Sequence, residues 1–194
     1  MSIMSHPTPL KIDVARYFRM AEAGIFGEDG RGGRERVELI EGEILEMPPP
    51  NPPHSSAVSE LYRLLVDAIP RSRAIVWCQG TVVLTKFTAP QPDLVLLPPH
   101  DHRFRDQYPR PEDIWLAIEV SDTSLAYDRG RKNRLYASSG IPEYWLLDVP
   151  GRAIEIRRQP GADGYGILLR AAAGELIAPE ALPDCLLDWA RVFA

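Results

Sequence analysis

The chain has 194 residues, 45% of them apolar and 25% charged, with a formal net charge of −5. That is the size and balance of one ordinary globular domain able to bury a core, and 1–194 reads as a single domain. No apolar run approaches the ~20 residues needed to span a bilayer, and the acidic balance argues against a protein that coats nucleic acid non-specifically, though not against an enzyme that touches it locally.

Met1 to Leu10 lacks the basic-then-apolar pattern of a secretory signal. From Ile12 to Ala23 the spacing predicts a helix, with Val14, Tyr17, Phe18 and Ala21 on one side, Asp13 as cap and Gly24 as stop. Gly27 to Gly33 is a glycine-rich polar loop. It lacks the G-x-x-x-x-G-K-[ST] pattern and is given no nucleotide role. Arg36 to Ile40 and Glu43 to Met47 read as strands joined by a tight turn at Glu41-Gly42. After a proline-rich break from Met47 to Pro53, a second helix is expected from His54 to Ile69, with Val58, Leu61, Leu65 and Ile69 as its apolar stripe.

Ala74 to Leu84 reads as one or two strands interrupted near Gln79-Gly80. Asp93 to Leu97 is a short, continuously apolar strand, as expected for one buried on both faces. Pro98 to Glu112 is a polar, arginine-bearing loop, and Trp115 to Val120 is another buried strand. A third helix, capped by Ser124 or Asp128, runs to about Ser139, where Gly140 and Pro142 stop it. Glu143 to Asp148 is a strand, and Ala153 to Arg158 and Tyr165 to Arg170 read as antiparallel partners. Pro183 to Phe193 holds one or two helical turns. The order predicts a single α/β domain, a mixed sheet flanked by helices.

Cys78 and Cys185 are far apart and fit no C-x-x-C spacing. They read as reduced, mostly buried thiols of a cytoplasmic protein. His6, His100 and His102 read as surface-loop histidines, and no pair has zinc spacing. Arginines concentrate around one strand: Arg103, Arg105 and Arg110 before it, Arg129, Arg131 and Arg134 after it. They suit either a nucleic-acid contact or a solvated helix face.

The chemistry centres on two acids and a lysine. Asp93 opens Pro92-Asp93-Leu94-Val95-Leu96-Leu97, and Glu119 lies inside Trp115-Leu116-Ala117-Ile118-Glu119-Val120. A carboxylate in such an apolar setting is costly unless partnered. Lys132 sits on the helix after the second strand, where it can fold back over the same sheet edge. Two carboxylates, a hydrated divalent cation and an ammonium are what phosphodiester hydrolysis needs: an activated water, a neutralised phosphate and a stabilised leaving oxygen. Each residue also has a plainer reading. Asp93 could bond nearby backbone amides, Glu119 could pair with Arg129, and Lys132 could be a solvated helix lysine paired with Asp128. His54 could be a general base, a group near the metal or a helix cap. Glu38 could be a solvent-facing strand residue. Gln79 could orient water, and Tyr136 reads as core.

Pro92-Asp93 followed by Glu119-Val120-Ser121 resembles the signature of the PD-(D/E)XK nuclease superfamily, the restriction-endonuclease-like fold. More narrowly, the chain resembles the Uma2 family. The matching segments are Arg36 to Ile44, His54, Gln91 to Leu94, Glu119 to Ser124, Asp128 through Lys132 to Tyr136, and Gly140 to Trp145. The resemblance implies a restriction-endonuclease-like core and a Mg²⁺- or Mn²⁺-dependent endonuclease acting on nucleic acid, DNA above all. Asp93 and Glu119 would bind metal with the backbone carbonyl of Val120 as a further ligand, Lys132 would act on water or phosphate, and His54 and Glu38 would assist. The superfamily's lysine would stand at Ser121, and the resemblance implies that it has moved to Lys132. A nuclease cutting both strands of a duplex is often a symmetric homodimer. Two other classes stand beside this one: a non-catalytic DNA-binding or interaction module that keeps the fold, and a two-carboxylate glycoside hydrolase. The latter finds little support at 8% aromatic residues.

Overall fold

A computed structural model describes residues 8–27, 36–100 and 103–194. His6, His102 and nearly all of the glycine-rich loop lie outside the described residues. The chain gathers into two compact units, Met1–Pro49 with Val83–Pro90, and Pro50–Val82 with Gln91–Ala194.

In the first unit, α1 (Val14–Glu22) starts where Asp13 accepts the Arg16 N–H at 2.8 Å. Its buried Tyr17 packs with Val37, Leu39 and Ala89, and the phenol donates to the Val37 carbonyl at 2.7 Å. The expected hairpin is β1 (Val37–Ile40) and β2 (Glu43–Glu46), with Leu39 opposite Ile44. Glu41 and Gly42 both have positive φ, 55° and 89°, which two-residue hairpin loops favour. A Cβ on Gly42 would sit 2.8 Å from Lys11 Cβ, so glycine is required there on two counts. All of β1 is buried, Glu38 included. That removes the solvent-facing reading of Glu38.

The second unit is built on a six-stranded sheet of order β3-β4-β5-β6-β7-β8. The strands are β3 (Ile75–Cys78), β4 (Leu94–Leu97), β5 (Leu116–Ser121), β6 (Glu143–Asp148), β7 (Ala153–Gly161) and β8 (Gly164–Ala171). β5 and β6 are parallel and every other pair is antiparallel. A parallel pair needs a crossover that spans the sheet. Here it is α3 (Leu125–Tyr127), a π-helical turn (Asp128–Lys132) and α4 (Asn133–Ser138). The other face is covered by α2 (Pro52–Ala68), whose Ala57, Val58, Leu61, Leu64 and Leu65 pack on Leu94, Leu96, Leu116, Ile118 and Val120. The α/β expectation of a mixed sheet flanked by helices therefore holds.

Three local expectations need correction. The second helix begins at Pro52, because Asn51 caps it and proline suits the first helical turn. The Ala74 to Leu84 segment is a strand only over Ile75–Cys78. Gln79 has φ 47°, and the Trp77 indole lies where a Cβ on Gly80 would be, 1.9 Å from Nε1. The helical turns expected near the C-terminus are present, as a 3-10 helix, Trp189–Phe193. Of the two thiols, Cys185 is buried and Cys78 is exposed.

Candidate active site

Leu94 pairs with Ile118 as the last rung between β4 and β5, and the next step of that antiparallel register sets Asp93 against Glu119. With the ladder ended, the Val120 N–H donates instead to Asp93 Oδ2 at 2.9 Å. That partly answers the cost of burying this carboxylate. His54, in the first turn of α2, brings Nε2 to 3.2 Å from the same Oδ2. Both hydrogen bonds of the Asp93 side chain use Oδ2, leaving Oδ1 for a ligand. Asn51 fixes the start of α2: its Oδ1 accepts the His54 N–H at 3.0 Å and its amide donates to Asp122, just beyond β5. His54 is therefore itself capped by Asn51, with its ring turned to Asp93.

Residues 116, 118 and 120 point into the α2 side of the core, so alternation turns Ala117, Glu119 and Ser121 to the crossover. Glu119 Oε1 accepts from Lys132 Nζ at 3.0 Å and from the Tyr136 hydroxyl at 2.6 Å. The Lys132 side chain is 2% exposed, which excludes the solvated-lysine reading. Arg129 does not take Glu119 as partner. It pairs with Asp148 and Glu155. Tyr136 is core, as expected, and also a hydrogen-bond donor to the strand acid.

Asp128, missed as a site residue, is buried next to these groups. Its carboxyl accepts from the hydroxyls of Ser121 and Ser124, and its carbonyl accepts from Tyr144 at 3.2 Å. Burial pushes the Asp128 carboxyl above its ordinary range, against the pull of both serines and of the Lys132 charge, while the charge of Asp93 adds to the rise. The signal available in the sequence was Ser121 itself, a buried hydroxyl needing a partner.

Gln79 is exposed and meets Asp93 only through its backbone N–H, 2.9 Å from the Asp93 carbonyl. His100 is exposed, as expected. Glu38 belongs to the first unit, where it is buried in β1.

Among the described residues no three His, Cys, Asp or Glu side chains are arranged to hold a metal. That does not conflict with a magnesium-type ion, which keeps several waters and takes one or two carboxylates plus substrate phosphate oxygens. The donors here are hard carboxylate oxygens of the buried Asp93, Glu119 and Asp128, with the Lys132 ammonium on Glu119. An acidic set of this kind suits such a cation.

The model of the Uma2 family, described as a putative restriction endonuclease, matches residues 15–190. The chain belongs to the Uma2 family. The match takes in the whole sheet, α2 and the crossover. The chain is also similar in three dimensions to the crystal structure of a putative nuclease belonging to DUF820 from Anabaena variabilis ATCC 29413. The TM-score is 0.66 at 14% identity, over 94% of this chain and 99% of that one. At that identity the likeness speaks for the fold, and it agrees with the restriction-endonuclease-like core expected for a Uma2 member. No curated protein matches the chain. No helix among the described residues is long and apolar enough to cross a membrane.

Proposed function

We propose that this Uma2 member is a divalent-metal-dependent endonuclease that hydrolyses phosphodiester bonds of DNA in the cytoplasm, working as one functional domain over 1–194. The observation that carries the reading is the buried contact between Lys132 and Glu119, beside Asp93. A helix lysine has been brought to a buried strand acid that stands next to a second buried carboxylate. Membership of a family described as a putative restriction endonuclease, and a fold shared with a protein titled as a putative nuclease, support the same reading.

Asp93 and Glu119 would hold Mg²⁺ or Mn²⁺, with the Val120 carbonyl as a further ligand. Bound there, the ion would polarise the phosphate and supply a water of lowered pKa. Lys132, bonded to Glu119, can donate to a phosphate oxygen as charge develops, or orient the attacking water. His54 can carry the proton that water loses. Glu38 is assigned an assisting role by the family resemblance. The attacking oxygen bonds to phosphorus, the bridging P–O bond breaks, and the leaving oxygen takes a proton. Cutting both strands of a duplex would call for two copies related by a two-fold axis.

The test is nicking of supercoiled plasmid with Mn²⁺ or Mg²⁺, with single-stranded DNA and RNA as competing substrates. Wild type should nick DNA and stop when EDTA is added. Lys132→Ala should lose cleavage yet keep metal binding, and Lys132→Arg should rescue poorly, because a guanidinium is planar and larger. Full activity in Lys132→Ala would remove the lysine from the mechanism. Inert wild type on every substrate would favour the alternative, a DNA-binding or interaction module that retains the fold.

A further inference from the structure

A lysine two residues after the glutamate on a strand would be aimed by the β-ladder itself. Here that place is Ser121, and the ammonium must come from a helix on a long flexible stem. Something has to set its direction. In an uninterrupted α-helix the Asp128 carbonyl would take the N–H of Lys132. It takes the N–H of Asn133, five residues on, closing a π-helical turn over Asp128–Lys132. One extra residue in a turn rotates the rest of the helix by about 100°, and such turns recur at functional sites.

Asp128 is tied down at both of its polar ends. Ser121 of β5 and Ser124 hold the carboxyl, and Tyr144 of β6 shares the carbonyl that closes the wide turn. So two strands fix one residue of the crossover, four positions before Lys132.

We propose that Asp128 is the positioning residue for Lys132: gripped by Ser121, Ser124 and Tyr144, it sets the π-helical turn that aims the ammonium at Glu119. Ser121, at the place the superfamily gives to lysine, thus acts on the lysine through Asp128. The catalytic meaning of this device rests on the nuclease reading, whereas the placement of the ammonium does not.

The chain has three lysines, Lys11, Lys86 and Lys132, and the first two are exposed. In ¹⁵N-lysine-labelled protein near neutral pH, Lys132 should therefore give the one slowly exchanging ammonium resonance, absent from Lys132→Met. Ser121→Ala/Ser124→Ala should speed its exchange at least ten-fold, or erase it. Asp128→Asn, whose Oδ1 still accepts from a serine, should retain it. Glu155→Gln, destabilised elsewhere in the sheet, should leave it unchanged, which separates positioning from general loosening. Should the double variant fail to fold, Tyr144→Phe removes a single hydroxyl and should also speed exchange.

A wild-type exchange rate in folded Ser121→Ala/Ser124→Ala, or in Tyr144→Phe, would overturn the proposal, as would a wild type without the resonance. If the resonance behaves as expected while no variant, wild type included, cleaves nucleic acid, the positioning stands and the nuclease reading falls.

Discussion

Glu119 and Glu155 occupy one row of the sheet, joined through Leu146, and both are buried. Their partners differ. Glu155 takes Arg129 Nε at 3.1 Å and Arg170 Nη2 at 3.1 Å on one oxygen, and Arg157 on the other. Asp148 shares Arg129, so two acids meet three guanidinium groups. Burial alone would raise the Glu155 carboxyl, but the hydrogen bonds and charges of Arg157 and Arg129 hold it below its ordinary range. Glu119 accepts from Lys132 and Tyr136 on Oε1, with Asp93 as its neighbour across the strands. A buried acid saturated by arginine anchors strands and helix. A buried acid set beside a second buried carboxylate, Asp93, is suited to a cation that arrives with the substrate.

The largest expected difference is in catalysis. Lys132→Ala should cut plasmid nicking by about 100-fold or more, whereas Glu155→Gln should keep nearly full activity per folded molecule. Equal losses would dissolve the distinction. Stability should separate them the other way. Glu155→Gln strands guanidinium groups around a neutral amide. Since Arg129 and Arg170 are 37% and 67% exposed, solvent softens the loss to about 2 kcal/mol in urea denaturation.

The pH dependence sharpens this. A carboxyl whose folded pKa is depressed contributes stability above its unfolded pKa and loses it as pH falls through the folded value. The gap in Tm between wild type and Glu155→Gln should thus be full at pH 6 to 7. It should close as pH drops below the unfolded value of 4.5. A gap that widens in acid would contradict the arginine cage. The smallest effect belongs to Tyr136→Phe. It removes the phenol that donates to Glu119 Oε1 and should cost about 0.5–1.5 kcal/mol, read from the urea midpoint.

Much of the sheet was legible because β4, β5 and β6 are short apolar runs, and apolar runs bounded by turn residues announce buried strands. Asp93 and Glu119 were legible for the same reason: an acid inside such a run is conspicuous. The contact of Lys132 with Glu119 depends on the crossover folding back, which the parallel pairing of β5 and β6 requires but no local pattern states. For Asp128, i, i+4 spacing on a regular helix favours a surface pairing with Lys132. The π-helical turn breaks that spacing, and the serines that hold Asp128 come from β5 and the loop after it. The Glu155 cage was invisible for a similar reason, since its arginines arrive from the crossover, β7 and β8. Gln79 misled because a positive φ at a non-glycine residue leaves little trace in sequence.

The central claim is that Asp93 and Glu119 together form a cation site and the Glu155 cluster does not. Mn²⁺ titration followed by electron paramagnetic resonance tests it directly, on wild type, Asp93→Asn, Glu119→Gln and Glu155→Gln. The expected result is one bound ion in wild type and in Glu155→Gln, and binding weakened at least ten-fold in each of the other two. Equal Mn²⁺ binding in all four proteins, or none in wild type, would contradict it.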